Sequence, residues 1–278
     1  RFFPPRAENT HKGSYGKAAV VGGSRDFFGS ALLSANALAA LKTGAGYGHL
    51  CVPDSLFPLY AGKVPELITH PFADENGALK FDEKDFEKID GVNAVAFGMG
   101  CGVSENTYEI ARRLLKNFKG VLLIDADGLN SLAAFGVKAL KNSGADVVVT
   151  PHVKEFSRLT GRSVEEIEND MIGSAKAFAK EYGVTVLLKS AVSVVAGKEG
   201  VLLNTTGNSG MAKGGSGDVL TGVTAALLGQ METERAAVTA CAVHAGAGDV
   251  CAQKLGEYGM TPSDIIEELP YIFKTITE

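Results

Sequence analysis

The sequence predicts an α/β fold built on a largely parallel sheet with helices on both faces, and three observations carry this. Short apolar runs alternate along the chain with segments of helical periodicity. The apolar runs are nearly continuous rather than alternating with polar residues, as expected of strands covered on both sides. Many of the 34 glycines fall at strand-to-helix junctions, where an α/β chain turns tightly.

In chain order, AAVVGG (18–23) reads as a first strand running into a helix over about 30–42. GHLCVP (48–53), a short helix-like segment and ELITHP (66–71) continue the pattern. AVAFGMG (94–100) precedes the amphipathic YEIARRLLKNF (108–118), and VLLIDAD (121–127) forms the next strand. ADVVVTP (145–151) leads into the helical KEFSRLTG (154–161). SAKAFAKEYG (174–183) is a helix followed by the strands VTVLLKS (184–190) and VSVVAG (192–197). Beyond Gly207 the pattern is helical alone, over 217–230, 233–256 and 262–276, which reads as cover for the sheet. No linker or repeat interrupts the chain, so residues 1–278 are expected to form one domain.

Composition narrows the function. With 45% hydrophobic and 21% charged residues the chain is that of an ordinary globular protein. Its net charge is −5 and no basic cluster is present, which argues against a nucleic-acid footprint. The longest stretch without formal charge, 27–41, is 15 residues and too short to span a bilayer, so no membrane partner is expected. The N-terminal RFFPPRAENTHKG lacks the apolar core of a signal peptide, and its initial Arg suggests a piece of a longer polypeptide. Cys51, Cys101, Cys241 and Cys251 lie far apart in apolar or Gly-rich stretches and read as free thiols in a reducing cytoplasm. The histidines show no paired metal-ligand spacing.

The segment with the strongest chemical signal is GNSGMAKGGSGDVLTG (207–222), with six glycines leading into an apolar helix. Gly214, Gly215 and Gly217 permit positive φ and close approach, so backbone N–H groups converge on an anion at the helix start. Asp218 stands in the first turn, where an ionised carboxylate can face both a bound phosphate and a substrate hydroxyl. A cap-region acid is the plainer alternative. No GxxxxGK[ST] loop is present, and GMGCGV (98–103) has GxGxG rather than GxGxxG spacing, a weak dinucleotide signal. Asp125 and Asp127 end a strand where α/β proteins bind ligands. Capping of the next helix is the first expectation for Asp127.

Together with HKGSYGKAAVVGGSRDFFGSALLSANALAALKTGAGY (11–47), LIDADGLN (123–130) and VVTPHVKEF (148–156), the Gly-rich segment resembles the ADP/ATP-dependent NAD(P)H-hydrate dehydratases of the ribokinase-like superfamily. The resemblance spans nearly the whole chain and keeps the motifs in family order. It implies a three-layer α/β/α fold with a mostly parallel central sheet. It also implies repair of hydrated NADH or NADPH: ADP or ATP phosphorylates the ring hydroxyl, phosphate leaves and the coenzyme is restored.

Carried over by residue, the resemblance makes Asp218 the catalytic base and places Ala31, Gly100, Gly102 and His152 beside the hydrate. Ala31 read alone would be helix packing, and His152 could equally be an ordinary loop residue. Lys189, Ser190, Ala191, Val192 and Ser193, with Asn208, Gly215, Ser216 and Gly217, would line the nucleotide, although a Lys ending a strand is commonly a snorkelling edge residue. Glu155 would hold Mg²⁺ through water, with a solvated helix face as the alternative. Met99 stands where the family more often has Pro, and Val153–Lys154 where it commonly has Pro-Gly. The resemblance further implies a cytoplasmic homo-oligomer, a tetramer. A vitamin-type small-molecule kinase of the same fold, or a nucleotide sensor without turnover, remains a rival reading.

Overall fold

A computed structural model describes residues 8–39 and 44–277. In chain order the strands are β1 (Lys17–Val21), β2 (Tyr47–Pro53), β3 (Ile68–Phe72), β4 (Asp74–Glu75), β5 (Ala78–Leu79), β6 (Ala94–Phe97), β7 (Val121–Ile124), β8 (Asp146–Val149), β9 (Thr185–Leu188), β10 (Ser193–Ala196) and β11 (Val201–Asn204). The helices are α1 (Phe28–Ala39), α2 (Phe57–Tyr60), α3 (Glu105–Asn117), α4 (Ala126–Phe135), α5 (Val153–Thr160), α6 (Val164–Asn169), α7 (Met171–Tyr182), α8 (Ser216–Leu228), α9 (Thr233–Gly259) and α10 (Pro262–Thr277). Helix α1 begins two residues earlier than the sequence suggests, and the expected continuation over 40–42 lies outside the described residues, as does the N-terminal stretch 1–7.

Nine strands form one sheet in the order β11-β10-β9-β8-β7-β6-β1-β2-β3, with β4 and β5 a separate small hairpin. From β9 to β3 every neighbouring pair is parallel, whereas β10 and β11 run antiparallel at one edge. Strand β11 was not apparent in the sequence because its Leu202 and Leu203 are exposed and polar residues flank it closely. The expected three layers are present because side chains alternate along each strand. On β1, Ala18 and Val20 join a core with α1, α8, α9 and α10, while Ala19 and Val21 join one with α3, α4, α5 and α7. All four cysteines are buried and free.

The parallel strands all end on the same side of the sheet, so the loops after β6, β7, β8 and β9 gather at one rim. Helices α1 and α8 cross above that rim at close range. Gly222 of α8 has no room for a Cβ, which would lie 2.2 Å from the Ser34 carbonyl oxygen and 2.7 Å from the Ala37 Cβ of α1. The hydroxyl of Ser34 also donates to the Asp218 carbonyl at 2.8 Å, fixing the two helices near the site. Among the described residues no helix is long and apolar enough to cross a membrane.

Gly222→Val should force α1 and α8 apart and lower the unfolding free energy by about 1–3 kcal/mol, the usual cost of overpacking. Urea denaturation measures this, and an unchanged midpoint would contradict the close approach.

Candidate active site

Asp125 is where the site is assembled. The chain leaves β7 at Ile124, and the Asp125 carboxylate caps α4 by accepting from the Ala126 N–H at 2.8 Å. Ala126 adopts φ 50°, a left-handed conformation uncommon for a residue with a Cβ. The cap is therefore Asp125, and not Asp127 as the sequence suggests; Asp127 instead accepts from the Gly102 N–H at 2.9 Å, holding the loop after β6 against α4. Asp125 also accepts from the buried Thr221 hydroxyl at 2.6 Å and from the Lys189 ammonium at 2.9 and 3.2 Å.

Lys189 does not snorkel to solvent. Its main chain donates to the Pro151 carbonyl and pairs beside His152, extending the β8–β9 ladder, and its ammonium turns inward. Burial opposes its charge, but Asp125, Glu155 and Asp218 around it outweigh burial and hold its pKa above the ordinary lysine range. The same ammonium is 3.4 Å from where a Cβ on Gly217 would stand, so it also borders the Gly-rich loop.

Glu155 is buried at this rim and is not on a solvated helix face. It forms a capping box at the start of α5: its Oε2 accepts from the His152 N–H at 2.9 Å, and His152 Nδ1 accepts from the N–H groups of Lys154 and Glu155 at 3.1 and 3.2 Å. His152 is therefore an N-cap with Nδ1 occupied as an acceptor, and burial together with nearby Lys189 keeps its pKa below the usual value. Burial, reinforced by Asp125, pushes Glu155 up to about 7.

Asp218 lies in the first turn of α8, where the helix dipole and the N–H groups without intrahelical partners face an incoming anion. Its carboxylate is bonded to Ser30 of α1. Burial, then the negative charge of Asp125, raises it to about 6 against the opposing pull of Ser30 and Lys189. It stays largely ionised at neutral pH, as the sequence suggests, but with far more basicity than an exposed aspartate.

Of the three glycines expected at positive φ, only Gly215 has it, at 99°; a Cβ there would strike Leu33 Cδ1 at 2.5 Å. Gly207, further upstream, also has positive φ, at 106°. Ser216 is buried with its hydroxyl unpartnered. Asn208 caps the turn over Ser209–Met211. Ser190, Ala191 and Val192 form an exposed turn leading to the half-buried Ser193.

Gly102 opens onto free space, whereas the bare face of Gly100 packs against Phe27, within 2.7 Å of a hypothetical Cβ. Ala31 is wholly buried against Gly23 in the α1 packing, and its neighbour Ser30 is the residue that reaches Asp218. Thr221 and Ser30 escaped the sequence reading, although Thr221, one turn after Asp218, could have been found from helical spacing.

Residues 18–271 match the family model of NAD(P)H-hydrate dehydratases. The chain belongs to the NAD(P)H-hydrate dehydratase family. It is 36% identical over 281 residues to the bifunctional NAD(P)H-hydrate repair enzyme of Thermofilum pendens, covering 99% of this chain and 53% of the relative. The Escherichia coli bifunctional repair enzyme is 35% identical over 274 residues, covering 98% and 50%. The chain thus spans about half the length of the curated relatives it matches. The ADP/ATP-dependent NAD(P)H-hydrate dehydratase of Bacillus subtilis, co-crystallised with ATP and Mg²⁺, superposes with a TM-score of 0.82 at 27% identity, covering 98% and 94%. A Pyrococcus horikoshii hydroxyethylthiazole kinase shares the fold at a TM-score of 0.61 and 17% identity, covering 96% and 91%.

The raised Asp218 has a consequence for folding within this family site. A carboxyl whose folded pKa is about 6 against an ordinary 3.8 favours the fold more as it protonates, so wild-type stability rises as the pH falls from 6 towards 4. Asp218→Asn is neutral throughout. It should be more stable than wild type at pH 7–8, by on the order of 1–2 kcal/mol after screening, with the gain fading below about pH 4. Denaturant melts across pH test this; an Asn variant less stable than wild type at pH 8 would refute the raised value.

Proposed function

We propose that the rim around Asp125, Lys189 and Asp218 catalyses nucleotide-dependent dehydration of hydrated NADH or NADPH, with residues 1–278 acting as one domain. The observation that carries this reading is the placement of Asp218: a half-buried, unusually basic carboxylate at a Gly-rich helix start, beside the half-buried ammonium of Lys189. That combination suits phosphoryl transfer to a hydroxyl, which asks for anion binding and a proton acceptor in one place.

Asp218 takes the proton of the ring hydroxyl as its oxygen bonds to the terminal phosphorus of ADP or ATP, and the bond from that phosphorus to the bridging oxygen breaks. AMP or ADP departs. The ring C–O bond then breaks, inorganic phosphate leaves, and loss of a proton from the neighbouring ring carbon restores the double bond of the reduced nicotinamide. The N–H groups of Gly215 and Gly217 and the Lys189 ammonium hold the transferring phosphoryl group, with Ser216, whose N–H donates to the Lys213 carbonyl at 3.3 Å, lining it between them. Ser190 to Ser193 and Asn208 border the rest of the nucleotide. Gly102, with its open face, and His152 border the hydrate, with Gly100 and Ala31 shaping that side through the Phe27–Ser30 turn.

The rim holds four carboxylates, Asp125, Asp127, Glu155 and Asp218, with the Lys189 ammonium beside three of them and Arg158 near Glu155. Burial is the first cause of the upward shifts of Asp218 and Glu155 and the charge of Asp125 the second, and a further cation fits beside these carboxylates. Among the described residues no three His, Cys, Asp or Glu side chains stand close enough to hold a metal by themselves. This suits Mg²⁺, which keeps most of its waters and is shared with substrate phosphates. Glu155 would hold it through water, and bound Mg²⁺ supplies charge neutralisation on the phosphates. We also place the protein in the cytoplasm as a homotetramer; light scattering of the purified protein tests the latter.

A vitamin-type kinase would use the same anion hole and base, but the kinase matched here shares only the fold. The test is to mix the protein with hydrated NADH, Mg²⁺ and ADP, ATP or AMP and follow the near-ultraviolet absorbance of reduced nicotinamide. Absorbance should return with ADP or ATP and not with AMP, and Asp218→Asn should lower turnover by about 10²–10⁴-fold with nucleotide affinity little changed. Full recovery with AMP alone rules out the phosphorylation route, and near-normal turnover by the Asn variant removes Asp218 from the role of base.

A further inference from the structure

Helix α9 reads in sequence as plain cover for the sheet, yet one of its faces meets the nucleotide-side segments one after another. Cys241 is hydrogen-bonded to Ser193 at the start of β10. One turn on, the buried His244 bonds to the main chain of Ser216 in the Gly-rich loop, leaving its Nε2 buried and unpartnered. Ala245 packs on Gly207, and Gly248 lies so close to Met211 that a Cβ would be 2.4 Å from its sulfur. Asp249 accepts from the Gly207 N–H at 3.0 Å and from the Asn208 side-chain amide at 2.9 Å. Positions 241, 244, 245, 248 and 249 are i, i+3, i+4, i+7 and i+8, a single helical stripe. At its far end the Lys213 ammonium donates to the carbonyls of Glu257, Tyr258 and Met260 at 3.0, 2.8 and 2.6 Å, tying the loop down a second time.

We propose that this stripe of α9 presets the nucleotide cleft, with Asp249 and His244 as positioning residues for the loop 207–217. The inference rests on reading that loop as the nucleotide side of the site. Neither residue is required to touch the nucleotide. Asp249 fixes Gly207, whose positive φ starts the loop, and the orientation of Asn208. His244 fixes the main chain at the start of α8, where the N–H donors and Asp218 stand. A loop held in its binding conformation before the ligand arrives loses less entropy on binding, so releasing it weakens affinity without removing a ligand contact.

The experiment is calorimetric titration of the protein with AMP and ADP, beside thermal melts, for wild type, Asp249→Ala, Asp249→Asn, His244→Phe and His244→Asn. Asp249→Asn keeps an acceptor for the Gly207 N–H, and His244→Asn keeps a polar nitrogen near the position of Nδ1. The Ala and Phe variants should weaken nucleotide binding about tenfold, the scale of one or two lost hydrogen bonds, with the melting temperature within about 3 °C of wild type. The Asn variants should recover most of the affinity. In turnover assays the KM for nucleotide should rise while the KM for the hydrate stays put. Nucleotide affinity within twofold of wild type in both the Ala and Phe variants overturns the proposal, as does a loss that follows the melting temperature and is not recovered by Asn. Failure of the wild-type protein to bind either nucleotide would instead defeat the nucleotide reading beneath it.

Discussion

The ion pair between Lys189 and Asp125 is the contact on which the rest of the site depends. It joins the ends of β7 and β9, and through Thr221 it reaches α8, so three elements distant in sequence are fixed by one carboxylate. A buried lysine is costly unless surrounded by partners, and here Asp125, Glu155 and Asp218 all contribute. The dependence runs both ways. Without Lys189 the carboxylates of Asp125, Glu155 and Asp218 would lose the cation they share; without Asp125 the cap of α4 and the bond to Thr221 would go together.

Function follows from how that charge is left unbalanced. Burial first, and then the negative charge of Asp125 that Lys189 does not cancel, makes Asp218 and Glu155 bind protons more tightly than free carboxylates do. A general base serves best when its pKa lies near the working pH, and a phosphoryl acceptor site needs positive charge and N–H donors facing the same point. Burial gives Asp218 its basicity, and in the proposed reaction the helix start with Lys189 would receive the anion. The cost is borne by stability, which the fold recovers in two apolar cores on either side of the sheet.

Much of this was legible in the sequence because it is written in local pattern. Continuous apolar runs and junction glycines disclose the parallel sheet, and the Gly-rich stretch ahead of Asp218 marks the helix start proposed to bind the anion. What was not legible depends on tertiary contact. Capping fell to Asp125 because the chain turns through Ala126 in a left-handed conformation, which no local rule demands of alanine. Glu155 looks like a surface acid by spacing, yet its capping box with His152 draws it inward beside Lys189. The stripe on α9 is small and apolar apart from His244 and Asp249, so it passes for ordinary packing until the loop it supports is in place. Strand β11 escaped because it lies at the edge with its leucines exposed.

Burial and the neighbouring Asp125 make Asp218 an unusually basic carboxylate, proposed to accept the hydroxyl proton. The pH dependence of kcat/KM for hydrate repair tests it most directly, since that profile reports ionisation in the free enzyme. An acid limb with an apparent pKa near 6, retained when Glu155 is replaced by Gln, is the expected result. A rate that stays level down to about pH 4.5, or a limb that disappears in Glu155→Gln, would contradict it.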